Sequence, residues 1–347
     1  MSHTTANEID LEHLVLIAGG HTAFSLLWTG VELGLYSLLS NEPGLTLPAV
    51  AERLNLEHQP TRILLTGLTA LRILRKEDDR YFNAKLTDQL LVPERPGSAA
   101  PILGWQAHIV YPGLMDFAQS LKENRNAGLQ HFPGPGNTLY ERLTAHPHLE
   151  KIFQDAMSAL SAQANAYLLE GVDFSRLNHA LDVGGGDASN ALALARKFPE
   201  LRVTVFDSPS VCEIARQNIS AAGLQDRVST CAGDMFSDPY PEGVDAILFS
   251  HIFTIWSLDK DLALLKKSYD TLPDGGSVLI FGMMGADDDT GPLSTALGSP
   301  YFLAIATGEG MLYSWADYEE KMHQAGFASV ARVDNLPLNH GVIIGSK

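Results

Sequence analysis

From residue 179 onward the apolar positions gather into short runs rich in β-branched residues, at 179 to 183, 201 to 206, 228 to 232, 244 to 250 and 277 to 282. Between them lie stretches with apolar residues at helical spacing, at about 189 to 198, 210 to 222 and 259 to 272. Runs that stay apolar instead of alternating suit strands covered on both faces, so the pattern predicts a mostly parallel sheet with crossover helices. A further helix is expected over Trp315 to Ala325, and two more runs follow it, Ser329 to Val333 and Gly341 to Gly345. Their short link, containing Asp-Asn-Leu-Pro, is too short for a crossover and predicts an antiparallel hairpin. The fold class is α/β.

The first hundred residues follow another pattern. Leu11 to Leu39 is apolar at helical spacing, with Gly19-Gly20 and Gly30 inside it, which suggests helices packed closely on each other or on a partner chain. A short helix at Ala49 to Leu54 precedes a second one running from Pro60 through Leu74, then a charged hairpin at Arg75 to Phe82 and a short helix at Leu86 to Leu91. This is a winged helix-turn-helix pattern. Its second helix offers only Arg62 and Arg72 as cations, too few to neutralise several phosphates, so a dimerisation module is preferred to a DNA reader. Leu11, Leu14, Leu26, Leu27, Leu35 and Leu38 are the expected partner-facing surface. A Pro-, Gly-, Ser- and Ala-rich seam near Leu91 to Gly104 gives three expected parts: 1–100 for dimerisation, 101–170 as a helical substrate lid, and 171–347 as the sheet domain.

Composition narrows the partners. A chain of 347 residues exceeds what one core usually spans, and 45% hydrophobic with 19% charged residues is ordinary for a water-soluble protein. A formal charge of −17 argues against nucleic acid and against anionic membranes. The two cysteines, Cys212 and Cys231, form no CxxC pair, so neither a disulfide framework nor a thiolate metal site is expected, and a cytoplasmic location is the default. The start, Met1-Ser2-His3-Thr4-Thr5, has no basic region followed by an apolar run, and no segment has the length of uninterrupted apolar residues that a membrane span needs.

The chemistry gathers at Ala180 to Asp207. A buried strand ends in Asp182-Val183-Gly184-Gly185-Gly186-Asp187-Ala188, a helix follows, and a second strand ends in Asp207, 21 residues beyond Gly186. Glycines let a ligand approach the backbone, and a carboxylate at that place can accept hydrogen bonds from both ribose hydroxyls. The spacing alone does not say which nucleotide. Ser189 stands where the dinucleotide fingerprint requires its third glycine, whereas Asp182, Gly184, Gly186 and Ala188 satisfy the acidic-x-Gly-x-Gly-x-small form of the turn that binds S-adenosylmethionine (SAM).

With "LDVGGGDAS", "VFDSPSV", "RVSTCAGDMF", "LPDGGSVLI" and "LYSWADYEEKMHQAGF" in this order behind a winged-helix start, nearly the whole chain resembles the two-domain, homodimeric, SAM-dependent small-molecule O-methyltransferases that include caffeic acid, hydroxyindole and phenazine methyltransferases. The resemblance implies a Rossmann-like methyltransferase sheet ending in the antiparallel hairpin, preceded by an all-α winged-helix dimerisation domain, and a role in secondary metabolism. It implies that Asp182, Gly184, Gly185 and Gly186 back the methionine part of SAM, that Asp207 holds the ribose, that Asp234, Met235 and Phe236 frame the adenine, and that Ser250 completes the pocket. Trp105, His108, Phe153, Met157, Phe253, Thr254 and Tyr313 are the implied wall of the acceptor cavity.

One departure bears on the chemistry. Where the family carries a string resembling His-x-Leu-His-Asp-Trp, whose second histidine removes the acceptor proton, this chain reads His251-Ile252-Phe253-Thr254-Ile255-Trp256. A threonine hydroxyl is no general base near neutral pH. Three readings follow: O- or C-methyl transfer to an acceptor that ionises easily; transfer with His251 as a relocated base; or SAM kept as an electrostatic element for a cyclisation, dehydration or pericyclic step in which the methyl group stays in place. No metal is expected: His146-Pro147-His148 reads as a helix start, and Asp287-Asp288-Asp289 as a polar loop.

Overall fold

The computed structural model describes residues 9–347, so the Met1 to Thr5 stretch discussed above lies outside the described residues. The chain divides into two compact units, one running to His108 and including Ile152–Ala159, the other made of Ile109–Lys151 and Leu160–Lys347.

In the first unit, helices Gly20–Glu32, Leu35–Asn41, Leu47–Leu54 and His58–Ala70 surround a core that includes Tyr36, Leu39, Val50, Leu65 and Leu68. A small antiparallel sheet completes it, with β1 (Leu45–Thr46), β2 (Leu74–Glu77) and β3 (Arg80–Asn83) in the order β1-β3-β2. The wing was expected, but not the two-residue strand β1, and the three strands together correct the expectation of an all-α unit. The helix expected from Pro60 to Leu74 stops at Ala70, because Arg72 turns through φ 60° and Leu74 is needed, buried, at the start of β2. Gly30 has a packing reason: a Cβ there would lie 2.4 Å from the Tyr36 hydroxyl, so only glycine lets the two helices approach.

The partner-facing surface needs correction. Leu35 is fully buried in this unit's own core, while the helix Leu11–Ala18 has no buried residue and leaves Leu11, Leu14, Val15, Leu16 and Ile17 between 51% and 76% exposed. Residues 101–170 are likewise less uniform than expected. A helix at Ala100–Trp105 passes into a π-helical turn at Gln106–Val110, the Pro133-Gly134-Pro135-Gly136 segment is irregular, and one long helix, Pro147–Gly171, closes the region. Among the described residues no single helix is long and apolar enough to cross a membrane.

The second unit carries a seven-stranded sheet of β4 (His179–Val183), β5 (Arg202–Asp207), β6 (Val228–Ala232), β7 (Ala246–Ser250), β8 (Ser277–Met283), β9 (Ser329–Val333) and β10 (His340–Ser346), ordered β6-β5-β4-β7-β8-β10-β9. The first five of these strands run parallel, and β10 is antiparallel to both β8 and β9, the hairpin the short link demanded. Alternate residues feed two cores: Val205, Leu248 and Leu279 pack on one face, Leu181, Ile247, Phe249 and Ile280 on the other. Both faces are covered, which is why the strands read as continuous apolar runs. The helices end where their caps dictate. Pro209–Ala222 starts with proline in its first turn and stops at Gly223 (φ 68°), and Trp315–Ala325 opens with a Ser314/Asp317 capping box and stops at Gly326 (φ 111°). All five parallel strands therefore deliver their carboxyl ends to one edge, where open α/β sheets bind ligands.

Candidate active site

The turn after β4 is built by backbone geometry. Gly184 and Gly186 take φ 72° and 58°, and Ala188 takes 73° just before the helix Ser189–Lys197. A Cβ on Gly184 would lie 2.4 Å from Ile252 Cδ1, and one on Gly185 would lie 2.7 Å from Asp182 Oδ2, so side chains are excluded from this loop by contact as well as by conformation. The Asp207 carboxylate reaches back to it from the end of β5: the Gly186 amide donates to Oδ2 at 3.0 Å and the Ser208 amide to Oδ1 at 2.7 Å. Burial still raises its pKa.

Beneath the loop, Asp182 is fully buried and neither of its oxygens has a hydrogen-bond partner. Burial, reinforced by the nearby charges of Asp207 and Asp187, pushes its pKa up to about 7. Asp187 is occupied by the Ser189 amide and hydroxyl at 3.0 and 2.6 Å. Three carboxyl groups thus converge on glycine backbone, with only amide and hydroxyl donors bonded to the two that are engaged. A ligand carrying positive charge is what such a cradle suits.

At the end of β6, Asp234 Oδ1 accepts from the Phe236 amide at 2.7 Å, so the carboxylate shapes its own turn. Met235 packs among the sheet residues, and Phe236, 38% exposed, meets Trp256 edge-on at 5.1 Å between ring centres. Lys260 lies 4.6 Å above the Trp256 ring and pairs with Glu309 at 2.7 Å.

Ser250 closes β7, and His251 follows with φ 58°, a strained conformation for a residue with a side chain. The Nε2 of His251 is buried without a partner, its ring stands 5.1 Å from Phe281 and 5.3 Å from His340, and burial together with the His340 charge pushes its pKa down to about 3. The imidazole is neutral at physiological pH. Phe253 and Thr254 are buried in the short helical turn Phe253–Ile255, and the Thr254 hydroxyl donates to the His251 carbonyl at 3.4 Å. Tyr313 is fixed by its own hydroxyl, which donates to the Trp256 and Glu309 carbonyls at 2.9 and 3.3 Å.

The other residues expected at the acceptor wall belong to the first unit: Trp105 ends a helix, His108 sits in the π-helical turn with its ring 5.5 Å from Trp28, and Phe153 and Met157 lie on the part of the long helix assigned there. The structure unites Asp182, Gly184–Gly186, Asp207, Asp234–Phe236 and Ser250–Thr254 along one sheet edge of the second unit. Both candidate metal clusters are occupied locally. His146 stands just before the long helix with its Nε2 on the Pro133 carbonyl at 2.6 Å, Asp287 pairs with Arg332 at 2.7 Å, and Asp288 accepts from the Thr290 hydroxyl at 2.6 Å.

Comparison with known proteins decides among the nucleotide-binding families. The model of an O-methyltransferase domain matches residues 114–328, more than half of the chain, and that of an O-methyltransferase dimerisation domain matches 15–93. The chain belongs to the O-methyltransferase family. It is similar to a curated L-tyrosine C(3)-methyltransferase of Streptomyces lavendulae, 40% identical over 98% of this chain and 93% of that one. It is also similar to the 3-hydroxy-5-methyl-1-naphthoate 3-O-methyltransferase of Streptomyces sahachiroi, 32% identical over 95% and 94%. Among solved structures, the apo form of the S-adenosylmethionine-dependent methyltransferase SibL superposes with a TM-score of 0.86 at 41% identity, covering 97% of this chain and 99% of that one. Human N-acetylserotonin methyltransferase in complex with SAM gives 0.83 at 25% identity, covering 99% of both. The protein is a SAM-dependent methyltransferase of small molecules, and the reading in which SAM keeps its methyl group gives way to methyl transfer.

Three residues at this edge escaped sequence reasoning. Ile252 fills the space denied to Gly184, His340 arrives from the last strand to stand beside His251, and Asp261 is fully buried with both oxygens unpartnered. Only Asp261 left a signal in the sequence, a carboxylate at an inward position of the helix Leu258–Thr271.

Proposed function

We propose that this enzyme is a homodimer that methylates a phenolic aromatic amino acid on the ring carbon next to the hydroxyl. Asp207 takes the ribose. Asp234, with Oδ1 engaged in its turn, offers Oδ2 to the adenine amino group, while Met235 and Phe236 meet the ring. Gly184–Gly186, with Asp182 behind them and Ser250 at the end of the adjacent strand, hold the methionine portion, whose positive charge the buried carboxylates favour. SAM supplies a methyl group on a sulfonium, open to in-line displacement with a neutral thioether as leaving group, so positioning outweighs activation.

The observation that carries the reading is Thr254. O-methylation requires a phenol proton to leave from an acid of pKa about 10 before or during transfer, and neither threonine nor an imidazole held near pKa 3 takes it readily. On the carbon route, the proton leaves last, from a ring already carrying positive charge, and water suffices as acceptor. The 40% identity to a tyrosine C(3)-methyltransferase over nearly the whole chain supports the same choice. The homodimer is supported by the dimerisation domain and by the uncovered apolar helix Leu11–Ala18.

Incubation with methyl-labelled SAM and L-tyrosine tests the reading. The expected product carries an aryl methyl signal by NMR, with one S-adenosylhomocysteine released per methyl transferred; a methoxy product, or no transfer to a phenolic amino acid, overturns it. Light scattering on a chain shortened through Ala18 should show loss of the dimer.

A further inference from the structure

A cavity of about 340 Å³ opens past the end of β8 and the start of β10, within the size range of small-molecule sites, and Gly285, Thr290, Trp315, Asp334, Asn339 and His340 are on its wall. Its floor depends on Gly341. A Cβ there would lie 2.0 Å from the Trp315 indole, so only glycine lets the indole lie against β10, and the Arg332 guanidinium covers the ring at 5.5 Å.

Charge on the wall is one-sided. Nearby Asp287 is neutralised by Arg332, which also grips Glu319 at 2.6 Å, and Asp288 is engaged by Thr290. Asp334 accepts from the neutral Asn335 side chain at 3.0 Å, and among the described residues no cation pairs with it. The cavity therefore presents a carboxylate, a carboxamide and an imidazole beside an aromatic face, with one uncompensated negative charge.

Its position fits one end of a longer molecule. In the sheet order β7 and β10 are separated by β8 alone, two interstrand spacings or about 10 Å. The rings of His251, Phe281 and His340 cluster across that gap, so that His251, just past β7, stands 5.3 Å from His340 on the cavity wall, with Phe281 5.1 and 5.6 Å from the two. A phenol seated at the β7 tip near Thr254 would have the cavity within reach of its side chain, on the far side of this cluster.

We propose that the cavity is the head-group subsite of the acceptor, where the Asp334 carboxylate binds the primary ammonium of a phenolic amino acid. The inference rests on the function proposed above and adds to it the residue that selects for an amine. Calorimetry on protein saturated with S-adenosylhomocysteine tests it with L-tyrosine, tyramine, 3-(4-hydroxyphenyl)propionate and p-cresol. Asp334→Asn, a change on an exposed side chain, should leave the melting temperature and S-adenosylhomocysteine affinity unchanged, weaken L-tyrosine and tyramine by about 10- to 100-fold, and leave the propionate unaffected. Equal weakening of all ligands, or of none, overturns the subsite. If wild-type protein methylates p-cresol yet binds the two amines no better than p-cresol, phenol methylation stands and the subsite falls. If no phenol is bound or methylated, the functional reading falls and takes the subsite with it.

Discussion

The Gly186 amide donates to Asp207 across 3.0 Å, so the carboxylate that ends β5 also sets the glycine turn that follows β4. Replacing Asp207 with alanine removes the proposed ribose acceptor and releases the turn together. SAM affinity should fall by about 2 kcal/mol or more, roughly 30-fold, in calorimetry. Unchanged affinity would place the ribose contact elsewhere.

Gly184 is constrained twice, by its left-handed conformation and by Ile252 Cδ1 at 2.4 Å from a virtual Cβ. Gly184→Ala should cost about 2 kcal/mol or more of unfolding free energy in urea. Pairing it with Ile252→Val, which removes Cδ1, should restore part of the loss and leave the conformational share of about 1 kcal/mol. Full restoration would show that backbone strain contributes nothing.

Thr254 is buried and its hydroxyl donates to a backbone carbonyl. Thr254→Ala should lower kcat about tenfold or less, since one weak hydrogen bond and a methyl contact are lost, whereas loss of a general base costs ~10² to 10⁴. A loss in the larger range with KM unchanged would make Thr254 part of the proton chemistry.

Asp261 gives the protein a pH-dependent weakness. Burial raises its pKa from 3.8 to about 9, so the fold holds the protonated acid while the unfolded chain ionises it. Its contribution is therefore complete below about pH 4 and drains away as pH climbs toward about 9. Asp261→Leu should flatten the dependence of Tm on pH between 5 and 9 and, near pH 8, raise stability by about 1–3 kcal/mol, by removing an unpaired buried polar group. An unaltered slope in scanning fluorimetry would assign the pH dependence to other groups.

The sheet was legible because strands covered on both faces must be apolar throughout, and the turn after β4 because the left-handed conformations of Gly184 and Gly186 favour glycine. Errors came where tertiary contacts overrode local pattern. Leu74 continues a helical period yet opens β2, since the left-handed turn at Arg72 places it in the core. Leu35 has the same periodicity as Leu11 and Leu14 but packs inside its own unit. His340 could not be paired with His251 in advance, because 89 residues separate them and only the reversed last strand brings their rings within 5.3 Å.

The helix Leu11–Ala18 has eight residues and buries none of them. A segment that short gains too few hydrogen bonds to offset the cost of nucleation in water, so its order must be lent by whatever apolar surface covers it. Helicity at this end is then a ligand-binding equilibrium in its own right. It rises with the concentration of the covering surface and makes apparent stability a function of how much protein is in the tube.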